Sequence, residues 1–326
     1  MKPKLLDYLC CPSCREDLVA DVRCLEDEEV ETGSLACQKC SRSFEIKGGI
    51  PRFIPPKLSE QVRRNVGSFG YEWNWLSSLS EKNETEFVSY LGKISPDLLK
   101  SRVVLDAGCG MGKFLYLSGK YGAKDVIGVD LADRSVEAAY SNTRHMENVH
   151  VVQADLFHLP LKPCFDFIYS IGVLHHLSFP QEGFQALVEH LKDGGAILAW
   201  VYGYEGNEIY IKYLDPARKI TCLMPPWLNK GLAAILAFAL WIPIVTVYIP
   251  LEKMRIKRLP FHDYFVYFHT LGFRFFWGTV FDKLIPQISN YYRNEEFTSW
   301  FSQAKLRDIS ITQRNANSWC GHGVKP

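Results

Sequence analysis

The chain of 326 residues is 47% hydrophobic and 22% charged, an ordinary globular balance with length for about two domains, which excludes a disordered chain. Its 37 basic and 36 acidic residues exclude a nucleic-acid binder that works by bulk charge. The N-terminus lacks the apolar stretch of a signal peptide, so the expectation is a protein of the reducing cytoplasm whose ten cysteines are available for metal.

Residues 1–56 hold six of the ten cysteines and end in Gly48-Gly49-Ile50-Pro51-Arg52-Phe53-Ile54-Pro55-Pro56, a boundary signal. With 8 basic and 10 acidic residues this piece is not a basic nucleic-acid finger. Cys11-Pro12-Ser13-Cys14 and Cys37-Gln38-Lys39-Cys40 are two CxxC knuckles with 22 residues between them. Such a pair of knuckles predicts one tetrahedral Zn2+ site of Cys11, Cys14, Cys37 and Cys40, with a hairpin loop at 26–33 absorbing the spacer. A redox dithiol is the competing reading. A closed four-thiolate site leaves no position for water, so the zinc is structural. Cys10 and Cys24 are read as spectators. The stretch LLDYLCCPSC…LACQKCSRSFEIKGGIPRFIP resembles the small zinc-ribbon subunit that activates tRNA and translation-factor methyltransferases. That resemblance implies a helper or docking domain, either a built-in activator or a contact for a protein partner.

Residues 57–100 form a connecting helical segment with Phe69, Tyr71, Trp73 and Trp75 at alternating positions. These aromatics serve either core packing or closure over a cofactor. From 101 the pattern predicts strands at 103–106, 126–130, 149–155, 165–170 and 196–202, with helices at 113–119, 135–144 and 181–191. This alternation means a parallel sheet with helices on both faces. An aromatic-rich insert at 203–290 interrupts it. A helix at 295–303 and strands at 307–313 and 319–324, within 291–326, then close the core begun at 101–202.

Leu105-Asp106-Ala107-Gly108-Cys109-Gly110-Met111-Gly112-Lys113 lies where a strand gives way to a helix. A dinucleotide fingerprint needs its third glycine at 113, where Lys stands, so a nicotinamide or flavin cofactor is disfavoured. VLDAGCGMGKF instead resembles the glycine-rich first motif of class I S-adenosylmethionine-dependent methyltransferases, and the later motifs follow in order over 101–202. The resemblance implies that Gly108, Gly110 and Gly112 cradle S-adenosylmethionine and that Asp130 takes the ribose hydroxyls. It also implies that Asp155, with Leu156 beside it, meets the adenine. Asp106 is placed to steer the cofactor's amino group or a loop amide. Three aspartates at strand C-termini suit the crevice where open α/β sheets bind ligands. The expected fold is therefore α/β: a Rossmann-like, doubly wound methyltransferase sheet, an N-terminal zinc ribbon, and a helical lid inserted before the last strands.

After the fourth strand, Val173-Leu174-His175-His176-Leu177 resembles the turn of small-molecule methyltransferases, including those of quinone biosynthesis. His175 or His176 is either a base or a pocket wall that caps the next helix. The insert carries 8 basic and 2 acidic residues over 212–258, and 231–251 is uncharged for 21 residues. Three readings stand for that run: a buried lid helix, a surface-lying element with basic flanks facing anionic lipid, or a membrane span. Pro243 and Pro250 are expected to break the helix.

Polar groups among the insert's aromatics are His262, Asp263, Tyr264, His269 and Asp282, with His262 or His269 a candidate base or a core histidine. FDKLIP followed by Tyr291-Tyr292 resembles a segment of bacterial methyltransferases that carry this ribbon. An apolar lid predicts methyl transfer to a small, lipophilic or lipid-linked acceptor. The apolar run with its basic flank, 231–258, predicts peripheral contact with the inner face of the membrane, and the acidic ribbon with few basics among the insert's aromatics argues against a nucleic-acid substrate. Two alternatives remain. A ribbon ahead of a methyltransferase fold also resembles the large-ribosomal-subunit guanine methyltransferases, which implies RNA. The other is a non-catalytic cofactor-binding scaffold.

Overall fold

The computed structural model describes residues 1–92 and 94–326. Strands β1 (Leu18–Glu26) and β2 (Glu29–Cys37) form a hairpin turned by Asp27 and Glu28, both in the left-handed region at φ 48° and 64°. The loop expected at 26–33 is thus only a two-residue turn, and the distance between the knuckles is taken up by paired strand. β3 (Ser43–Lys47) and β4 (Ile50–Phe53) continue the antiparallel run.

β5 (Val103–Ala107), β6 (Asp125–Asp130), β7 (Val149–Ala154), β8 (Phe165–Ile171) and β9 (Leu191–Tyr202) follow, with β10 (Arg307–Arg314) and β11 (Ser318–Val324) last. The expected strands match within a residue or two, except that β9 starts five residues before 196. All eleven lie in one sheet, ordered β1-β2-β3-β4-β7-β6-β5-β8-β9-β11-β10. The pairings from β4 to β9 are parallel, and β11 and β10 return antiparallel.

The ribbon is therefore continuous with the main sheet. β4 pairs with β7, setting Arg52 opposite Gln153 and Phe53 opposite Ala154. Met1, Leu5, Leu9, Leu35, Ile46 and Phe53 share one buried cluster with Ala154, Leu161 and Leu187. The ribbon's apolar side chains are buried by the rest of the chain, which supplies the core that so short a segment cannot build alone.

Helices α1 (Glu60–Trp75) and α2 (Lys82–Leu91) lead into the sheet. α3 (Lys113–Lys120), α4 (Asp133–Thr143) and α5 (Pro180–Glu189) link its strands. Ser59 starts α1, its hydroxyl oxygen accepting the Val62 amide at 3.2 Å. The insert holds α6 (Asp215–Thr221), α7 (Pro226–Pro243), α8 (Ile249–Lys253), α9 (His262–Leu271) and α10 (Phe273–Leu284), and α11 (Asn294–Gln303) precedes β10.

Neither proline breaks the apolar helix. A wide π-turn at Ile244–Tyr248 lies between Pro243 and Pro250 and carries the helix past the two missing N–H donors. The result is one continuous helix, Pro226–Lys253, long and apolar enough by length and composition to cross a membrane.

A buried lid is not what this helix forms. Ala233, Ala237 and Ile244 are buried in packing shared with Phe276, Phe281 and Trp277, while Ile235, Phe238 and Ile242 are 69%, 63% and 51% exposed. Being apolar all round, the helix has more such surface than its one-sided packing can cover.

Candidate donor and acceptor cavities

β5 ends at Ala107, and the chain turns through Gly108, Gly110 and Gly112 at φ 89°, 53° and 82°, which side chains with a Cβ resist. The Gly108 and Cys109 amides donate to the Val129 carbonyl at 2.8 and 2.9 Å, drawing the loop over the end of β6. Close approach is also required. A Cβ at Gly108 would fall on the Val173 methyl, and one at Gly110 would stand 3.1 Å from the Trp73 ring.

Asp130 closes β6. Its Oδ2 accepts the Gly110 amide at 3.0 Å and its Oδ1 the Ala132 amide at 2.9 Å, while burial pushes its carboxyl up. Asp155 follows β7 and caps a short turn, its Oδ1 accepting the Phe157 amide at 3.2 Å.

Gly108, Asp130 and Asp155 line a cavity of about 750 Å³, together with Leu156, Gly172 and His176, while Gly110 lines the cavity beside it and Gly112 lines neither. Its opposite wall is α1, through Val62, Asn65, Phe69 and Trp73. The N-terminal helix, not the insert, thus covers this side. Asp106 lies beneath the loop, 3% exposed and outside the cavity lining. Burial raises its carboxyl to about 8, opposed by the Tyr169 hydroxyl, and its Oδ2 has no partner among the described residues. Three glycines in the loop, two carboxylates at the rim and an orphaned carboxylate oxygen below suit S-adenosylmethionine, whose ribose, adenine and amino group are all donors. When bound, that cofactor supplies an electrophilic methyl carbon on a sulfonium.

A second cavity, of about 470 Å³, adjoins the first. Trp73, Gly108, Ile171, Gly172 and Asp282 line both. Its walls combine aromatic rings (Tyr90, Trp200, Tyr202, Tyr264, Phe275) with cationic groups (Lys82, Lys113, Arg274, Lys283, Arg314). Glu86 holds Lys113 at 3.0 and 2.8 Å. The Arg314 guanidinium lies 4.1 Å from the Tyr90 ring centre, and Lys283 Nζ lies 3.5 Å from that of Tyr202. Burial lowers the Lys283 ammonium to about 8. Glu72 also lines this cavity; burial first, and the Asp282 charge next, raise its carboxyl well above the usual range.

The four candidate bases are scattered. His175 is fully buried, packed 3.8 Å from the Tyr202 ring centre and outside both linings, and burial holds it well below its ordinary pKa. His176 lines the first cavity, but its Nδ1 is tied to the Ile288 carbonyl at 2.7 Å and burial lowers it to about 4. His262 faces Glu252 at 3.2 Å and His269 stacks on Trp241, and neither lines either of these two cavities. Trp73 walls both cavities, whereas Trp75 packs on Trp277 and Phe281.

Sequence reasoning passed over Glu72 and Arg314 and left Asp282 without a role. Glu72 carried a signal, being the only charged side chain in the aromatic run 69–76. Arg314 carried none, since only the closing of the sheet brings β10 to this site.

The sulfur atoms of Cys11, Cys14, Cys37 and Cys40 lie within 4.8 Å of one another, with Cys11–Cys40 at 3.6 Å and Cys14–Cys37 at 3.4 Å. Zinc–sulfur bonds of about 2.3 Å give tetrahedral edges near these separations. Each knuckle closes alike: the Arg15 amide donates to the Cys11 carbonyl at 2.8 Å and the Ser41 amide to the Cys37 carbonyl at 3.0 Å, with both residues at positive φ. Cys10 and Cys24 stay outside the cluster.

Residues 104–195 match the family described as "Methyltransferase domain", and residues 2–49 match "Trm112p-like protein". Among curated relatives, the tRNA U34 carboxymethyltransferase of Psychromonas ingrahamii is 30% identical over 56% of this chain and 53% of its own. Those of Ruthia magnifica and Pseudoalteromonas translucida are 37% and 31% identical, over 46% and 42% of this chain and 44% and 42% of their own. The chain spans about half the length of the curated relatives it matches. Among solved structures, an S-adenosylmethionine-dependent methyltransferase of Mesorhizobium loti is 26% identical over 32% of this chain and 48% of that one, at a TM-score of 0.30.

The chain carries an S-adenosylmethionine-dependent methyltransferase domain of class I and a Trm112p-like zinc ribbon. The expected small lipophilic acceptor, its quinone-type resemblance and the exclusion of nucleic acid are overturned, because the relatives are named for tRNA. The physical reason for the error is that the insert, read alone, showed few cations among its aromatics. Lys82, Lys113 and Arg314 come from outside it.

Proposed function

We propose that this chain uses S-adenosylmethionine to modify a base of an RNA, with tRNA the substrate class. The observation that carries the reading is the second cavity, whose aromatic walls and five cationic side chains adjoin the cofactor cavity. RNA bases are taken up by stacking on aromatic side chains, and the cations suit the phosphates beside them. A base must leave its stack to reach such a pocket. The names of the relatives support the same substrate class.

The test is transfer of label from methyl-labelled S-adenosylmethionine to bulk tRNA taken from cells lacking the gene. Label that becomes soluble on nuclease digestion and migrates as a modified nucleoside is the expected result. Label that enters protein or an organic extract and resists nuclease overturns the RNA reading.

A further inference from the structure

The methyl acceptor must meet the donor where the two cavities join, and the residues common to both linings are Trp73, Gly108, Ile171, Gly172 and Asp282. Asp282 is the one ionisable group among them. We propose that Asp282 is the catalytic base of this site, taking the proton of an O–H or N–H acceptor as the methyl group is transferred.

Glu72 apart, the other carboxylates and histidines nearby are engaged or out of reach, and Lys283, seated against the Tyr202 ring, lines only the acceptor cavity. Glu86 is neutralised by Lys113, and the carboxylate oxygens of Asp130 accept the Gly110 and Ala132 amides. His176 is tied to the Ile288 carbonyl, and His175 reaches neither cavity. Asp282 is held in place from the sheet, its Oδ2 accepting the Tyr202 hydroxyl at 3.1 Å.

A second observation is Glu72. It lines the acceptor cavity at 2% exposure, and its Oε2 has no partner among the described residues. Such a burial favours the protonated carboxyl. Glu72 then adds no charge beside Asp282, leaves a single carboxylate at the junction, and keeps a free polar atom turned to whatever fills the cavity.

The step balances without a further reactant. The acceptor's oxygen or nitrogen forms the new bond to carbon, and the carbon–sulfur pair departs with sulfur as a neutral thioether. The acceptor's proton passes to the Asp282 carboxylate and from there to solvent. A base of this kind contributes about 10²–10⁴-fold where the acceptor must lose a proton.

The inference rests on methyl transfer by this domain and not on RNA being the acceptor. The experiment compares the full chain with its Asp282→Asn variant. It measures S-adenosylhomocysteine affinity by calorimetry, the thermal midpoint, and kcat and KM on whichever fraction the wild type labels. Expected for Asp282→Asn are affinity and KM within about threefold of wild type and kcat lower by about 100-fold or more, with Asp282→Glu recovering part of it.

A kcat within tenfold of wild type overturns the proposal, as does a fall in S-adenosylhomocysteine affinity that matches the loss of rate. If Asp282→Asn does not fold, Tyr202→Phe removes the hydroxyl that positions Asp282, and kcat should fall about tenfold with KM unchanged; an unchanged kcat overturns the proposal. Wild-type label outside RNA overturns the RNA reading alone, because the variants are then compared on that fraction.

Discussion

The backbone amide of Gln287 donates to the Asn65 side-chain oxygen at 2.6 Å, tying the helix that covers the donor cavity to the segment that follows α10. Asn65 is 6% exposed, and its Nδ2 also donates to the His176 carbonyl at 3.5 Å. One amide side chain thus links α1, the turn after β8 and the helical insert.

Asn65→Ala leaves the half-buried Gln287 amide without its acceptor, a loss of about 1 kcal/mol. Because Asn65 lines the donor cavity, S-adenosylhomocysteine affinity should fall as well. Denaturant unfolding and calorimetric titration of the same preparation check both. A variant with unchanged stability would show that this link is not made in solution.

Removing the metal should act on the whole molecule. The ribbon shares a sheet and a buried cluster with the catalytic core, so chelation or Cys37→Ser is expected to lower one common thermal transition. Two separate transitions, with the upper one unmoved by chelator, would contradict the shared core. Wild-type protein should contain one zinc per chain by elemental analysis.

Asp106 makes stability depend on pH. Its folded carboxyl titrates at about 8, pushed up by burial, against about 4 in an unfolded chain. Below about pH 4 both states hold the proton and nothing is lost. From there to about 8 the unfolded chain sheds a proton that the folded chain keeps, so this contribution falls as pH rises. Asp106→Asn stays neutral throughout. Its thermal midpoint should exceed that of the wild type increasingly from pH 5 to 8, and the two should converge towards pH 4.

The exposed side of α7 predicts self-association. Ile235 and Phe238 are 69% and 63% exposed, so Ile235→Ser with Phe238→Ser should change stability by only about 0.5 kcal/mol. Contiguous apolar surface of this kind drives contact between molecules. Sedimentation over a concentration range should show less association for the double variant than for the wild type.

Most of the sheet was legible because its strands are short apolar runs punctuated by glycine and aspartate, and local pattern determines those. The cysteine knuckles were legible for a similar reason, since metal chemistry dictates their spacing. The ribbon's place in the main sheet was not, because Arg52 and Phe53 give no local sign of pairing with Gln153 and Ala154, 101 residues away. The apolar helix was misjudged for a physical reason too. Absence of charge over 231–251 says that water is disfavoured on every face, and it does not say whether neighbours exist to cover them. At the site, Asp106, Asp130 and Asp155 were marked by their positions at strand ends, whereas Asp282 and Arg314 take their roles only from three-dimensional proximity.

The pairing of β4 with β7 has a consequence for any attempt to divide the molecule. Cutting the chain near residue 56 would take β4 from β7 at Gln153 and Ala154 and bare the buried cluster that Met1, Leu5, Leu9 and Phe53 share with the core. An uncovered strand end beside exposed apolar surface recruits other chains. The intact molecule instead presents β1 at that end, where Asp21, Arg23 and Glu26 interrupt the outer strand with charge. The metal-bound hairpin therefore also serves as the guard of the catalytic sheet's border, and a shortened chain should be recovered as aggregate rather than as a smaller enzyme.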